Sequence, residues 1–422
     1  MEGRHSDTAM TDVEFDHDTP QTLPESDFTQ RLLNLATRVF REGRLDIVAD
    51  DGRHWRLGGG SRPRAAIRVR DARVLRHILR NPSLHFGETY MDGLWEPEGS
   101  LMDVLQVGMS FVAQLDHLPA VKVAQRFKRR FIETNDAARA KRNIHHHYDL
   151  DAGLYREFLD ADMQYSCAYW ADGVTTLEAA QTAKREHIAT KLDLQPGARV
   201  LDIGCGWGGM ALHLARHHGA RVLGVTLSEE QHKVACERAK AEGLEDRVEF
   251  RIQDYRAVDD SFDAIVSVGM FEHVGRPQYA TFFERVQTML KPGGTALLHT
   301  IGRNSPPGGS NPWIQKYIFP GGYIPAASEV LARIEPTGLI VTDLEVLRVH
   351  YAKTLAEWNR RFQARRARFA ERLGERFCRM WEFYLQASEA AFYWDNLEVF
   401  QIQMTRELQR LPLTRDYLYR TD

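Results

Sequence analysis

The sequence predicts an α/β protein: a doubly wound, mainly parallel sheet of the Rossmann-like kind, preceded by a small α+β domain. Three observations carry that expectation. From about residue 190 onward, apolar strands alternate with helical segments. A glycine-rich loop, "GCGWGG" from Gly204 to Gly209, follows directly on the strand "RVLDI". Before that, from about residue 28 to 115, helical spacing and hairpin alternation are mixed over short stretches.

In chain order, residues 1–27 are polar and acidic without apolar periodicity, and read as a disordered tail. Residues 28–115 form the small domain. In it "FTQRLLNLATRVF" has helical spacing, "RLDIVADDGRHWRLGG" alternates like a hairpin about Asp51-Gly52, and "AAIRVRDARVLRHIL" passes from strand to helix. Residues 116–143 carry Lys122, Arg126, Lys128, Arg129, Arg130, Arg139, Lys141 and Arg142 among apolar residues. This is a basic amphipathic linker that either lies on an anionic membrane surface or is simply solvated. Residues 144–422 hold the main domain. Its strands are "ARVLDIG", "RVLGVTL", "VEFRIQDY", "FDAIVSVGM" and "GGTALLHTIG"; its helices are "MALHLARHHG", "SEEQHKVACERAKAEG" and "YATFFERVQTML". The last seventy or so residues, rich in Trp, Phe, Tyr and Arg, read as helices added to that sheet.

Composition narrows the function. A chain of 422 residues, 43% hydrophobic, can bury one large core and a smaller one. Its four cysteines are scattered and form no CxxC pair, so neither a disulfide framework nor a zinc site is expected, and a reducing cytoplasm fits. The first residues lack the pattern of a secretory signal, and no apolar stretch reaches membrane-spanning length. A net charge of −3 gives no reason to expect nucleic-acid binding. The run His145, His146, His147 suggests a metal, but consecutive residues do not readily converge on one ion, and no metal is expected.

The letters of the glycine loop satisfy GxGxxG, yet the second strand ends Val225-Thr226 instead of in the acidic residue that would hold a dinucleotide ribose. Asp202 before the first glycine and Asp254 after the third strand suit S-adenosylmethionine instead, which makes a methyltransferase the expected class. The stretch "MQYSCAYW" leaves Cys167 open between nucleophile, metal ligand and filler of an aromatic core.

With "HHHYDL", "MQYSCAYW", "VLDIGCGWGG", "GVTLSEEQ", "QDYR", "IVSVGMFEHVG", "LLHTIG", "WIQKYIFPGGYIP" and "HYAKTLAEW" in this order, the sequence resembles the cyclopropane-fatty-acyl-phospholipid synthase family, relatives of the mycolic acid cyclopropane synthases. The resemblance covers about residues 144–400 and, more loosely through "FGETYMDGLWE", the first domain. It implies a methyltransferase sheet with helices that cover an acyl chain. The implied reaction places a methylene from S-adenosylmethionine across a cis double bond of an unsaturated phospholipid, by way of a carbocation, with bound bicarbonate as base. It further implies the cofactor contacts Tyr165, Ser166, Gly204, Gly206, Thr226, Leu227, Gln231, Tyr255 and Arg256, and a bicarbonate site at Cys167, Glu272, His299, Ile301 and Tyr351. Backbone groups at Cys167 and Ile301 are expected to complete the cage. The implied partner is phospholipid at the inner membrane face, met as a peripheral protein; a homodimer is plausible by the same resemblance.

The chemistry agrees with this set. An alkene cannot be activated by removing a proton, so alignment and exclusion of water must do the work, and aromatic faces can stabilise a cation by ~2 kcal/mol each when desolvated. One position departs from the family pattern: Ser388 stands where many members have a cysteine, so an essential covalent role for that cysteine is not expected. Two other readings remain, an acyl methyltransferase giving a methyl-branched or methylene product and a catalytically idle lipid-binding protein.

Overall fold

The structure, a computed structural model, describes residues 37–116 and 152–419. The tail 1–27, most of the first expected helix, the basic residues 122–142 and the histidines 145–147 lie outside them.

The first sheet follows from alternation. Strand β1 (Arg44–Ala49) buries Leu45, Ile47 and Ala49 on one face. The chain turns at Asp51-Gly52, where Gly52 takes φ +83°, and returns as β2 (His54–Leu57), antiparallel to β1 with Leu45 opposite Leu57. Strand β3 (Arg64–Val69) runs parallel to β1 on its other side. Helix α1 (Ala72–Arg80), capped by the Asp71 carboxylate on the Arg73 N–H, and α2 (Pro82–Met91), with Pro82 at its start, lead to β4 (Trp95–Glu98). β4 completes the order β2-β1-β3-β4. Helix α3 (Leu101–Asp116) packs Val104, Leu105, Val107 and Phe111 against this sheet, Phe111 stacking on Phe40 with ring centroids 4.3 Å apart.

Two helices precede the larger sheet, α4 (Ala152–Phe158) and α5 (Leu177–Leu192). The sequence pattern assigns no element to the second of these, because its buried side includes Gln181, Lys184, His187 and Lys191, which blur the apolar period. Then follow β5 (Arg199–Ile203), α6 (Gly209–His217), β6 (Arg221–Thr226), α7 (Glu229–Ala241), β7 (Val248–Ile252), β8 (Phe262–Val268), α8 (Tyr279–Met289) and β9 (Leu290–Arg303). The remainder is α9 (Pro312–Tyr317), α10 (Ala327–Ile334), β10 (Ile340–Val346), α11 (His350–Ala364), α12 (Arg366–Leu373), α13 (Glu375–Trp394) and β11 (Leu397–Thr405). The strand order is β10-β11-β9-β8-β5-β6-β7, with β9, β8, β5, β6 and β7 parallel and β11 antiparallel to both its neighbours. Chain direction across the sheet reverses between β5 and β8, which places a crevice at the carboxyl ends of those strands.

One expectation is corrected here. The chain's last part is not helical throughout: "LEVFQIQMT" is β11, inserted between β9 and β10 with Gln401 opposite His299. Its alternating Phe400, Ile402 and Met404 fit a strand; the aromatic density of α13 immediately before it hides the change of period.

Helix α13 joins the two sheets' helical layers. The Arg379 guanidinium lies 4.1 Å from the Tyr90 ring centre and donates to the Tyr90 and Trp95 carbonyls. Phe383 meets Trp313 edge-on at 4.8 Å. Around Tyr155, Phe158, Trp358 and Trp381 this layer forms an aromatic core beside the carboxyl end of the large sheet.

Candidate functional site

The glycine loop opens the crevice. Gly204, Gly206 and Gly208 all take positive φ (+80°, +54° and +84°), a backbone that side chains rarely adopt. A Cβ at Gly204 would also meet Met270 at 2.6 Å. The loop is tied down from behind, since the N–H groups of Gly204 and Cys205 both donate to the Val225 carbonyl. Gly208 caps α6 without a side chain, so nothing of its own covers the helix start.

All eleven residues expected to hold a cofactor line one cavity at this point: Tyr165, Ser166, Asp202, Gly204, Gly206, Thr226, Leu227, Gln231, Asp254, Tyr255 and Arg256. Asp202, one residue before the end of β5, is 2% exposed, with one carboxylate oxygen lacking a hydrogen-bond partner among the described residues. Burial pushes its carboxyl up to about 7, the Lys184 charge acting the other way. After β6, the Thr226 hydroxyl donates to Gln231 Oε1 at 2.9 Å, and Ser228 caps α7 through the Gln231 N–H. After β7, Asp254 is desolvated but is held below the ordinary carboxylate value by Arg256, whose Nε and Nη2 lie at 2.8 and 2.6 Å. The orphaned Asp202 oxygen and the side-chain-free cradle suit a polar nucleoside ligand such as the expected cofactor.

The five residues expected to hold a base lie outside this cavity's lining, with Cys167 and Glu272 next in the chain to lining residues. Glu272 sits in the short turn Phe271–His273 after β8, between the lining residues Met270 and His273. Its Oε1 accepts the Ile301 N–H at 2.6 Å; its Oε2 is buried without a hydrogen-bond partner among the described residues. Burial pushes the carboxyl up to about 7, opposed chiefly by that Ile301 bond. The expectation for Ile301 is thereby modified: its backbone N–H is already given to Glu272. His299, 2% exposed on β9, receives the Gly269 N–H on its carbonyl, and its Nδ1 lies 3.1 Å from Gln401 Nε2. Burial first, then the Lys184 and Lys191 charges, push its imidazole well below the ordinary value, so it is neutral. Tyr351, in the first turn of α11, packs against Phe392 and Trp358, centroids 4.9 and 5.8 Å away. Cys167 is 1% exposed and its thiol donates to the Ala168 carbonyl at 3.3 Å. Burial raises its thiol far above the ordinary range, which argues against the nucleophile reading.

Sequence reasoning passes over three residues that matter here. Gln401 reaches the ring of His299; Gln401 and Gln403, alternating in an apolar strand and essentially unexposed, were the available signal. Lys184 and Gln181, one turn apart on α5, bond to the segment 164–166 that walls the cavity. Two groups of metal-ligand type come close together, His77 with His85 and Glu88, and Glu186 with His213 and His218, but none of their members lines the cavity. Ser388 lies on α13.

Comparison with known proteins agrees with this geometry. The family model described as "Mycolic acid cyclopropane synthetase" matches residues 135–402, and one described as a domain of unknown function, DUF7884, matches 39–113. The chain is 42% identical over 355 residues to the cyclopropane-fatty-acyl-phospholipid synthase of Escherichia coli strain K12, covering 83% of this chain and 90% of that one. It is 37% identical over 379 residues to the tuberculostearic acid methyltransferase UfaA1 of Mycobacterium tuberculosis, covering 86% and 88%. Among solved structures, the cyclopropane synthase MmaA2 from Mycobacterium tuberculosis superposes with a TM-score of 0.60 at 30% identity, over 64% of this chain and 99% of that one. The mycolic acid cyclopropane synthase CmaA1 complexed with SAH and CTAB gives 0.59 at 31% identity, over 63% and 97%.

Proposed function

Because the chain belongs to the mycolic acid cyclopropane synthetase family, and so is an S-adenosylmethionine-dependent methyltransferase, we propose that it cyclopropanates cis double bonds in the acyl chains of membrane phospholipids. The observation that carries this reading is Glu272: a buried carboxylate beside the cofactor cavity, with one oxygen on the Ile301 N–H and the other making no hydrogen bond among the described residues. A plain methyl transfer to a nitrogen or oxygen nucleophile needs a base at the nucleophile, whereas an alkene has no acidic proton and must lose one after attack. A proton acceptor set apart from the cofactor cavity suits the second task.

When bound, S-adenosylmethionine supplies an electrophilic methyl group. The protein's own contributions are alignment, dryness and a route for one proton. Tyr165 stacks on Trp358 at 5.2 Å and its hydroxyl pairs with that of Tyr384 at 2.8 Å, which holds an aromatic face at the cavity wall. Such faces stabilise a cation on the acyl chain by ~2 kcal/mol each. Bicarbonate, as the small base, would be held by Glu272 accepting a hydrogen bond from its O–H, by neutral His299 donating through its ring N–H and by Tyr351 donating through its phenol, and it would supply the acceptor for the proton lost by the new methyl group. Ile301 acts through Glu272, and Cys167 closes the apolar side of the cage.

No helix among the described residues is long and apolar enough to cross a membrane. Access to lipid is assigned instead to the basic stretch between 122 and 142, on an anionic bilayer surface. The resemblance to an acyl methyltransferase supports a second reading, a methyl-branched or methylene product from the same cation, differing only in where the proton leaves. Purified protein is incubated with vesicles of unsaturated phospholipid, S-adenosylmethionine and bicarbonate, and the lipids are read by mass spectrometry and NMR. High-field ring-methylene protons are expected. An olefinic or branched-methyl signal selects the second reading, and unmodified lipid refutes both.

A further inference from the structure

Lys184 is wholly buried on α5, and both its hydrogen-bond acceptors are neutral: Gln164 Oε1 at 2.6 Å and Ser166 Oγ at 2.8 Å. Among the described residues its ammonium makes no ion pair. Burying a charge without a close counter-charge is costly, yet the fold reinforces the arrangement. Gln181, one turn earlier and equally buried, donates through Nε2 to the Ser166 carbonyl at 3.0 Å.

The direction of these bonds has a chemical consequence. An ammonium can only donate, so Ser166 Oγ spends a lone pair on Nζ and its own O–H must point elsewhere. Ser166 lines the cofactor cavity, and no protein acceptor takes its hydroxyl among the described residues. The hydroxyl is left as a donor into the cavity, backed by a positive charge. We propose that Lys184 is a positioning residue which, through Ser166, makes this wall of the cavity recognise a carboxylate-type oxyanion. The inference rests on the assignment of the cavity to S-adenosylmethionine. Two sources of that chemistry meet here, the carboxylate at the amino-acid end of the cofactor and bicarbonate beside Cys167, the residue next to Ser166.

The electrostatics agree. Burial pushes the Lys184 ammonium down to about 8, while Asp160, Cys167 and Asp202 pull it back up, so its field spans both the cavity and the base site. His299, on β9, is lowered by the same charge.

The test compares two ligands that share a nucleoside thioether, S-adenosylhomocysteine, which has the carboxylate, and 5′-methylthioadenosine, which lacks it. Lys184→Met removes a buried charge but also the donor to Gln164 Oε1 and Ser166 Oγ, so its fold is checked by thermal melting before binding is read. Calorimetry should show S-adenosylhomocysteine weakened roughly tenfold and methylthioadenosine changed by less than about twofold. Lys184→Arg should restore most of the affinity, and Ser166→Ala, which leaves the lysine in place, should reproduce the selective loss. Unchanged S-adenosylhomocysteine binding with a roughly tenfold rise in the bicarbonate needed for half-maximal turnover identifies bicarbonate as the oxyanion. Equal weakening of both thioethers, or no change in either anion's dependence, overturns the proposal. Failure of the parent protein to bind S-adenosylhomocysteine refutes the cavity assignment itself, whatever the variants do.

Discussion

At the cofactor cavity the glycine loop and one Asp202 oxygen are left open, whereas behind it most polar groups are already engaged. Gly204, Gly206 and Gly208 keep side chains away from the loop, and an Asp202 oxygen lacks a partner among the described residues. Behind the cavity, Glu272 is held through one oxygen by Ile301, His299 by Gln401 and Gly269, and the Cys167 thiol by Ala168. An open rim gains most of its order from the ligand; a tied cluster is rigid beforehand. Substitutions in the first region should therefore act on binding, and those in the second on turnover at nearly constant cofactor affinity.

Glu272→Gln is the strongest way to break that contrast. Losing the proton acceptor should lower turnover roughly 100- to 10,000-fold, with S-adenosylhomocysteine affinity by calorimetry staying within about twofold. Equal loss of both would merge the two regions into one. The same variant has a stability signature. In the folded protein the carboxyl is raised from 4.5 to about 7. Below pH 4.5 it is neutral in both states and costs nothing. As pH rises toward 7 the unfolded chain ionises while the folded one retains its proton, so stability is lost, reaching a cost of about 3 kcal/mol above pH 7. Thermal melts should show Glu272→Gln more stable than the parent at pH 8, the gap closing toward pH 5; a gap independent of pH contradicts the raised carboxyl.

Gln401→Leu should sharpen the contrast at smaller amplitude. With its amide nitrogen toward the ring, Gln401 donates to His299 Nδ1 and leaves the proton of a neutral imidazole on Nε2. Without that donor the ring can hold its proton on either nitrogen. Turnover should fall roughly tenfold, with a higher bicarbonate requirement and unaltered cofactor binding. Weakened S-adenosylhomocysteine binding would show that His299 belongs to the cavity instead.

The same contrast explains what the sequence could disclose. The open rim was legible because it is local: strand, glycine loop and helix start are consecutive from Arg199 to Gly209, Thr226 ends a strand and Asp254 follows one. The tied cluster depends on contacts across large separations, as between Glu272 and Ile301 or His299 and Gln401. From the residues alone these gave no signal; the family resemblance pointed to Glu272, His299 and Ile301, but not to Gln401. Lys184 escaped for a related reason, since a lysine in an unassigned helix reads as solvent-facing until the packing of α5 shows it wholly buried. β11 was lost because a strand that returns from a helical segment carries no turn motif tying it to its neighbours β9 and β10.

Cys167→Ser should give the smallest change and the finest distinction. A hydroxyl can keep the bond to the Ala168 carbonyl, now 3.3 Å from sulfur, but it is smaller and more polar in a site that is 1% exposed. Turnover should fall roughly two- to fivefold, consistent with a perturbed wall and no lost reactant. The thiol, raised by burial far above neutrality, should also resist iodoacetamide in the folded protein at pH 8, as peptide mapping would reveal. Complete loss of turnover in Cys167→Ser with bicarbonate dependence unmoved, or rapid alkylation that parallels inactivation, would make the sulfur a reactant. In that event the tied cluster would be a reactive site in its own right, and its contrast with the open cavity would have to be drawn elsewhere.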